Sequence, residues 1–177
     1  EKKAGAPAEN AEMKSAEEKT AESGVQTLYS PLEGTAIPLS EVKDATFASE
    51  VLGKGIAVIP SKGEVKAPCD ATVSTIFDTK HAIGFQTDTD LPMLLHIGID
   101  TVKLEGKGFE ILVEQGQHVK KGEPLMKIDI PYLTENAPSL CSPILCTEIE
   151  DNQRVRLLAN GEIKAGDPLF AVETVEE

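Results

Sequence analysis

Met93-Leu94-Leu95-His96-Ile97-Gly98-Ile99-Asp100-Thr101-Val102 reads as a buried strand that runs into a turn. Side chains alternate across a strand, so Met93, Leu95 and Ile97 share one face and Leu94, His96 and Gly98 the other. Gly98 has no side chain, which leaves the surface beside the imidazole open. Asp100 follows one pleat later, within reach of the histidine or of a docked cation. An imidazole in such a strand can be a nucleophile, a metal ligand or a core residue with its hydrogen bonds satisfied.

The same texture of short runs stopped by Gly, Pro or Asp spreads outward in both directions from Leu28 onward. The runs are Ile56 to Ile59, Thr72 to Phe77, Ile83 to Gln86, Phe109 to Val113, Leu125 to Ile130, Val155 to Leu158 and Leu169 to Val172. This spacing predicts an all-β chain, an antiparallel β-sandwich or barrel-sandwich hybrid with a few short helical turns. Asp44 is placed to cap one such turn, running through Phe47, Val51 and Leu52. Asp129 ahead of Pro131 is placed to open another through Leu133. The motif is duplicated. Gly116-Gln117-His118-Val119-Lys120-Lys121-Gly122-Glu123-Pro124-Leu125 is echoed by Asn160-Gly161-Glu162-Ile163-Lys164-Ala165-Gly166-Asp167-Pro168-Leu169. Both read as hairpins, and Val65 to Pro68 with Ala71 to Val73 adds a third hairpin-like piece.

Residues 1–23 are mostly Ala, Glu and Lys, with one methionine and no Leu, Ile, Val or aromatic residue. They cannot bury enough apolar surface to offset chain entropy, so they are expected to form a flexible interdomain linker, with 24–177 as the folded domain. The start at Glu1 without methionine fits a processed chain or part of a longer one. Lys and Arg number 17 against 30 Asp and Glu, a formal net charge of −13. That balance excludes a nucleic-acid footprint and suits a basic protein partner, or solubility alone. Cys69, Cys141 and Cys146 are odd in number and form no CxxC pair, as expected of reduced thiols in a cytoplasmic protein. No apolar run approaches the ~18 residues of a membrane span.

His96 is one of three histidines. His81 lies in Phe77-Asp78-Thr79-Lys80-His81-Ala82, at the start of a strand. Thr79, two residues earlier, projects to the same side, where its hydroxyl can bond an imidazole nitrogen and fix the tautomer. Facing histidines on neighbouring strands can pair a nucleophile with a general base or an electrostatic partner. His118, among lysines in the Gly116–Gly122 turn, is expected to be solvated and without a chemical role.

Leu94 to Phe109 resembles the active-site stretch of the glucose-type IIA domains of the bacterial phosphoenolpyruvate:sugar phosphotransferase system. Phe77 to Ala82 is similar to that family's second histidine segment, and Asp44 to Ala48 with Gly53 to Ala57 to its early rim segment. The resemblance runs from about Leu28 to Val172. It implies a phosphotransferase component with a shallow depression holding both histidines. His96 would accept a phosphoryl group through Nε2 from the histidine-containing phosphocarrier protein and pass it to a cysteine of a IIB domain. His81 would support it, with Thr79 bonded to His81, and the Gly98 carbonyl would hold the other nitrogen of His96. Asp44 and Asp100 would meet arginines of the carrier, and Phe47, Val51, Leu52, Phe77 and Val102 would form an apolar rim. No cofactor is implied.

Two departures stand out. Ala45 and Thr46 replace a bulky apolar pair beside the rim phenylalanine, which predicts weaker docking there. The linker lacks an amphipathic helix, which favours a IIA domain tethered to a multidomain inner-membrane sugar permease. Leu94 to Gly98 and His81 to Gly84 lean towards the β-glucoside, sucrose or trehalose branch.

Three rivals remain at this point. A zinc hydrolase of related fold would use His96, Asp100 and His81, but lacks a His-x-His; incidental zinc between His81 and His96 is the milder form. A lipoyl or biotinyl carrier would use Lys66 or Lys127, yet Lys127 sits inside an alternating strand. A regulatory binding module would use the same site as a message.

Overall fold

The computed structural model describes residues 24–175. The expected linker over 1–23 lies outside the described residues. Among the described residues fourteen strands, all paired antiparallel, make three sheets, as the run spacing requires. They are β1 (Val25–Tyr29), β2 (Gly34–Pro38), β3 (Lys54–Pro60), β4 (Glu64–Lys66), β5 (Ala71–Ile76), β6 (Ala82–Thr87), β7 (Pro92–His96), β8 (Phe109–Ile111), β9 (His118–Val119), β10 (Pro124–Ile128), β11 (Ser142–Cys146), β12 (Gln153–Leu157), β13 (Gly161–Ile163) and β14 (Pro168–Thr174). The largest sheet has the order β13-β2-β3-β11-β7-β6-β5-β9, flanked by β1-β14-β12 and β4-β10-β8.

This order is duplicated. Each edge of the large sheet is a short strand, β13 or β9, and each leads through a tight turn into the centre of a three-stranded sheet, β14 or β10. The echoed segments are therefore not hairpins: their turns carry the chain from one sheet to another. The two turns are built alike. The Glu123 carboxylate accepts from Lys120 N–H at 2.9 Å, and the Asp167 carboxylate from Lys164 N–H at 3.0 Å. Gly122 (φ 88°) and Gly166 (φ 94°) take the left-handed position. Each turn docks onto a matching segment, Gly122 N–H donating to Ala67 O and Gly166 N–H to Ser30 O, both at 2.9 Å. Val65–Pro68 and Ala71–Val73 also belong to different sheets.

The helical turns differ in extent. Asp44 caps α1 (Ala45–Ala48), its Oδ1 accepting from Thr46 N–H at 2.9 Å, but the helix stops before Val51 and Leu52. Asp129 caps α2 (Ile130–Asn136) by accepting from Tyr132 N–H at 3.0 Å, with Leu133 fully buried beneath it.

Met93, Leu95 and Ile97 face the main core with Ile56, Phe85, Met126, Ile144 and Phe170. The opposite face of the large sheet carries a second cluster: Leu39, Val42, Phe47, Ala57, Ile99, Cys141 and Leu145. Strand β11 lies between the two and is buried at all five residues. The three cysteines are buried and unbridged, and burial pushes the Cys69 and Cys146 thiols up to about 12.

Candidate functional site

His96 is the last residue of β7, opposite Ala82 across the β6–β7 ladder. Regular alternation would send His81 into the core with Ile97, whose N–H donates to His81 O at 2.8 Å. Instead, Lys80 adopts a left-handed backbone (φ 62°) and bends the chain just before it. The His81 ring thereby meets His96 edge-on, with centroids 4.8 Å apart and an interplanar angle of 78°. His81 is thus a loop residue between β5 and β6, not the first residue of a strand.

Each ring is held at Nδ1. His96 Nδ1 lies 2.8 Å from the Gly98 carbonyl oxygen. A carbonyl only accepts, so Nδ1 carries the proton and Nε2 bears the lone pair. His81 Nδ1 lies 2.7 Å from Thr79 Oγ1. Gly98 serves by conformation and not by leaving open space. Its φ is 75°, and a Cβ there would lie 2.6 Å from Thr101 Cγ2 and 3.0 Å from the Ser139 carbonyl. Asp100 acts on His96 through charge.

Burial, then the adjacent His81, lowers the His96 pKa to about 4; the Gly98 carbonyl, Asp44 and Asp100 pull it the other way. Burial also lowers the pKa of His81. Both imidazoles are therefore neutral at pH 7.

The expected rim divides in two. Val51, Leu52, Phe77 and Val102 are exposed, Val51 by 73%. Phe47 is buried and lies under the site, its ring centroid 5.0 Å from that of His96. Phe77 packs edge-on against His81 at 5.4 Å. His118 stands apart as the first residue of β9, with its Nε2 3.0 Å from Asp88 Oδ1. Among the described residues no group of three or more His, Cys, Asp or Glu could hold a metal ion, so the hydrolase ligand set does not assemble. Lys66 and Lys127 lie on paired strands, not at a hairpin tip. Among the described residues no helix is long and apolar enough to cross a membrane.

Residues 26–152 match the EIIA 1 family of the phosphoenolpyruvate-dependent sugar phosphotransferase system. The chain belongs to this family. It is a IIA domain, a phosphotransferase component of sugar uptake. It is 52% identical over 126 residues to the PTS system glucose-specific EIICBA component of Staphylococcus saprophyticus. That alignment takes in 71% of this chain and 19% of the relative, so the chain spans about a fifth of it. The solved glucose permease IIA from Mycoplasma capricolum is 38% identical, with a TM-score of 0.78 over 83% of this chain and 95% of that chain. Both relatives are named for glucose, not for the branch towards which the short fragments lean. The alternation of residues in the sequence gave no sign of Thr101 and Ser142, two fully buried hydroxyls beside Gly98. Thr101 stood in plain view after Asp100, but Ser142 opens a strand that no periodicity marks.

Proposed function

We propose that His96 Nε2 accepts a phosphoryl group from the histidine-containing phosphocarrier protein and delivers it to a cysteine of a IIB domain. The observation that carries this reading is the edge-on histidine pair with its two Nδ1 atoms occupied. The neutral His96 lone pair attacks phosphorus. The N–P bond to the carrier breaks, and its electron pair returns to the carrier's imidazole. The Nδ1–H of His96 stays on the Gly98 carbonyl, which stabilises the positive charge that the ring acquires. When the Thr79 hydroxyl donates to His81 Nδ1, His81 Nε2 carries a proton and can donate to a phosphoryl oxygen. The incoming negative charge raises the pKa of His81, so this imidazole becomes cationic when charge needs compensating.

The exposed side chains of Val51, Leu52, Phe77 and Val102 give the carrier an apolar landing surface that excludes water from a hydrolysable phosphohistidine. Asp44 and Asp100 lie close enough to act on His96 through charge, where carrier arginines can pair with them. No cofactor is required. The names of the relatives point to a glucose-class permease, with this domain working in the cytoplasm beside its membrane part. The same surface can signal phosphorylation state to other proteins.

Incubation with phosphoenolpyruvate, the general phosphotransferase enzyme and the phosphocarrier should add one acid-labile, alkali-stable phosphoryl group. It should map to His96. His96→Ala should abolish incorporation, and His118→Ala should leave it unchanged. His81→Gln should still accept phosphate but pass it on poorly. Incorporation surviving in His96→Ala would overturn the assignment.

A further inference from the structure

Gly98 lies between two peptide units, and all four of their polar groups are bonded. In the Ile97–Gly98 peptide, the carbonyl accepts from the Thr101 hydroxyl and the N–H donates to Ser142 Oγ at 3.1 Å. In the Gly98–Ile99 peptide, the carbonyl faces His96 Nδ1 at 2.8 Å and the N–H donates to Ser139 O at 3.0 Å. Ser142 Oγ also donates to Leu140 O at 2.8 Å, which commits its proton and leaves a lone pair for Gly98. Thr101 and Ser142 are both fully buried, so water cannot substitute for either hydroxyl.

We propose that Ser142 and Thr101 are positioning residues that set the tautomer of His96 by fixing the Gly98 peptide units. Gly98 is the joint at which these units rotate, and its left-handed φ is a conformation that the chain does not otherwise prefer strongly. With the first unit held at both ends and the second held by Ile99 N–H on Ser139 O, the joint cannot turn, and the aim of the carbonyl at Nδ1 is set. If the carbonyl swings away, the imidazole is free to carry its proton on Nε2, and Nε2–H has no lone pair with which to attack phosphorus. A small change of angle suffices, because transfer needs the attacking nitrogen in line. The nucleophile is thus set from β11, through backbone and without direct contact. The proposal rests on His96 being the phosphoryl acceptor.

The test uses ¹⁵N imidazole spectra and phosphoryl-transfer kinetics on the whole chain. In the wild type, His96 should be almost entirely the Nδ1–H tautomer, and the Gly98 amide should exchange slowly. Ser142→Ala should yield a mixed tautomer population and slow phosphoryl acceptance about tenfold, with the KM for the phosphocarrier little changed. Ser142→Thr, which restores a hydroxyl on a residue suited to a strand, should recover both readouts. Thr101→Val removes the other hydroxyl at constant volume and carries the same expectation if Ser142→Ala does not fold. A merely structural hydroxyl would change the melting temperature and leave the tautomer alone. A wild-type His96 that is largely Nε2–H, or a fast-exchanging Gly98 amide, overturns the inference without any variant. So does a folded variant with unchanged tautomer and rate. Phosphate on another residue would instead overturn the acceptor assignment, while the tautomer data would still report on the Gly98 peptides.

Discussion

Adding a proton to His96 costs the folded domain free energy that the unfolded chain does not incur. The unfolded imidazole titrates near its ordinary 6.5 and the folded one at about 4. Between those values the unfolded state binds more protons, so stability rises with pH across this window and is fully present above it. On acidification from 6.5 the contribution falls, and below about 4 it changes no further. The lowered pKa of His81 acts with the same sign. Chemical denaturation at pH 7 and pH 4.5 should show His96→Gln keeping ~1–2 kcal/mol more of its neutral-pH stability than wild type. Equal losses in the two proteins would mean that His96 titrates normally. At this scale the sequence was informative where chemistry showed in residue type. His96, His81 and Thr79 stand out by identity and spacing. The left-handed Lys80 that brings His81 round, and the bonds to Gly98, depend on long-range packing that no local pattern encodes.

Elements were legible where a terminus had its own chemistry. Asp44 and Asp129 each mark a helix start because a carboxylate satisfies an amide that the first turn leaves free. Where α1 ends was not legible, since Val51 and Leu52 continue the apolar spacing although their side chains are exposed. Strand β11 was missed for a physical reason. Leu145 faces one cluster, Ile144 and Cys146 the other, and both faces are buried, so no polar–apolar alternation survives. Its Pro143 also reads as a strand breaker. It is accommodated because Pro143 pairs with Ala57 of β3, and the β7 ladder begins only at Ile144. Asp44 couples element to site, since it caps α1 and also raises the His96 pKa. Asn is a comparable cap without the charge. Asp44→Asn should therefore keep the melting temperature within a degree or two while lowering the His96 pKa further and slowing docking of the carrier. Asp44→Ala should lose ~1 kcal/mol as well. A fall in stability for Asp44→Asn equal to that for Asp44→Ala would separate the two roles wrongly.

The molecule is two related halves that share one large sheet, and the echoed turns were the visible sign of this in the sequence. What they could not convey is that each turn changes sheet, because sheet membership is set by partners distant in the chain. Following the pairing outward from the turns, β9 matches β13, β5 matches β2, β6 matches β3 and β7 matches β11. Gly55 opposite Leu145 then corresponds to Ala82 opposite His96. The second copy of the site has thus become core: Leu145 is fully buried against Phe47 and its neighbours. The pairing of β1 with β14 bears on mechanics. Val25 lies opposite Glu173, so the ends of the described chain leave side by side. A pull that separates them loads the ladder bonds in turn, like a zipper, and not together in shear. In single-molecule stretching from residues 24 and 175, β1 should peel from β14 at low force, before the large sheet yields. One high-force rupture of the whole domain would contradict this. The weakest mechanical seam then lies where the two ends of the described chain meet, where tension can be released by a few residues while the paired histidines keep their geometry.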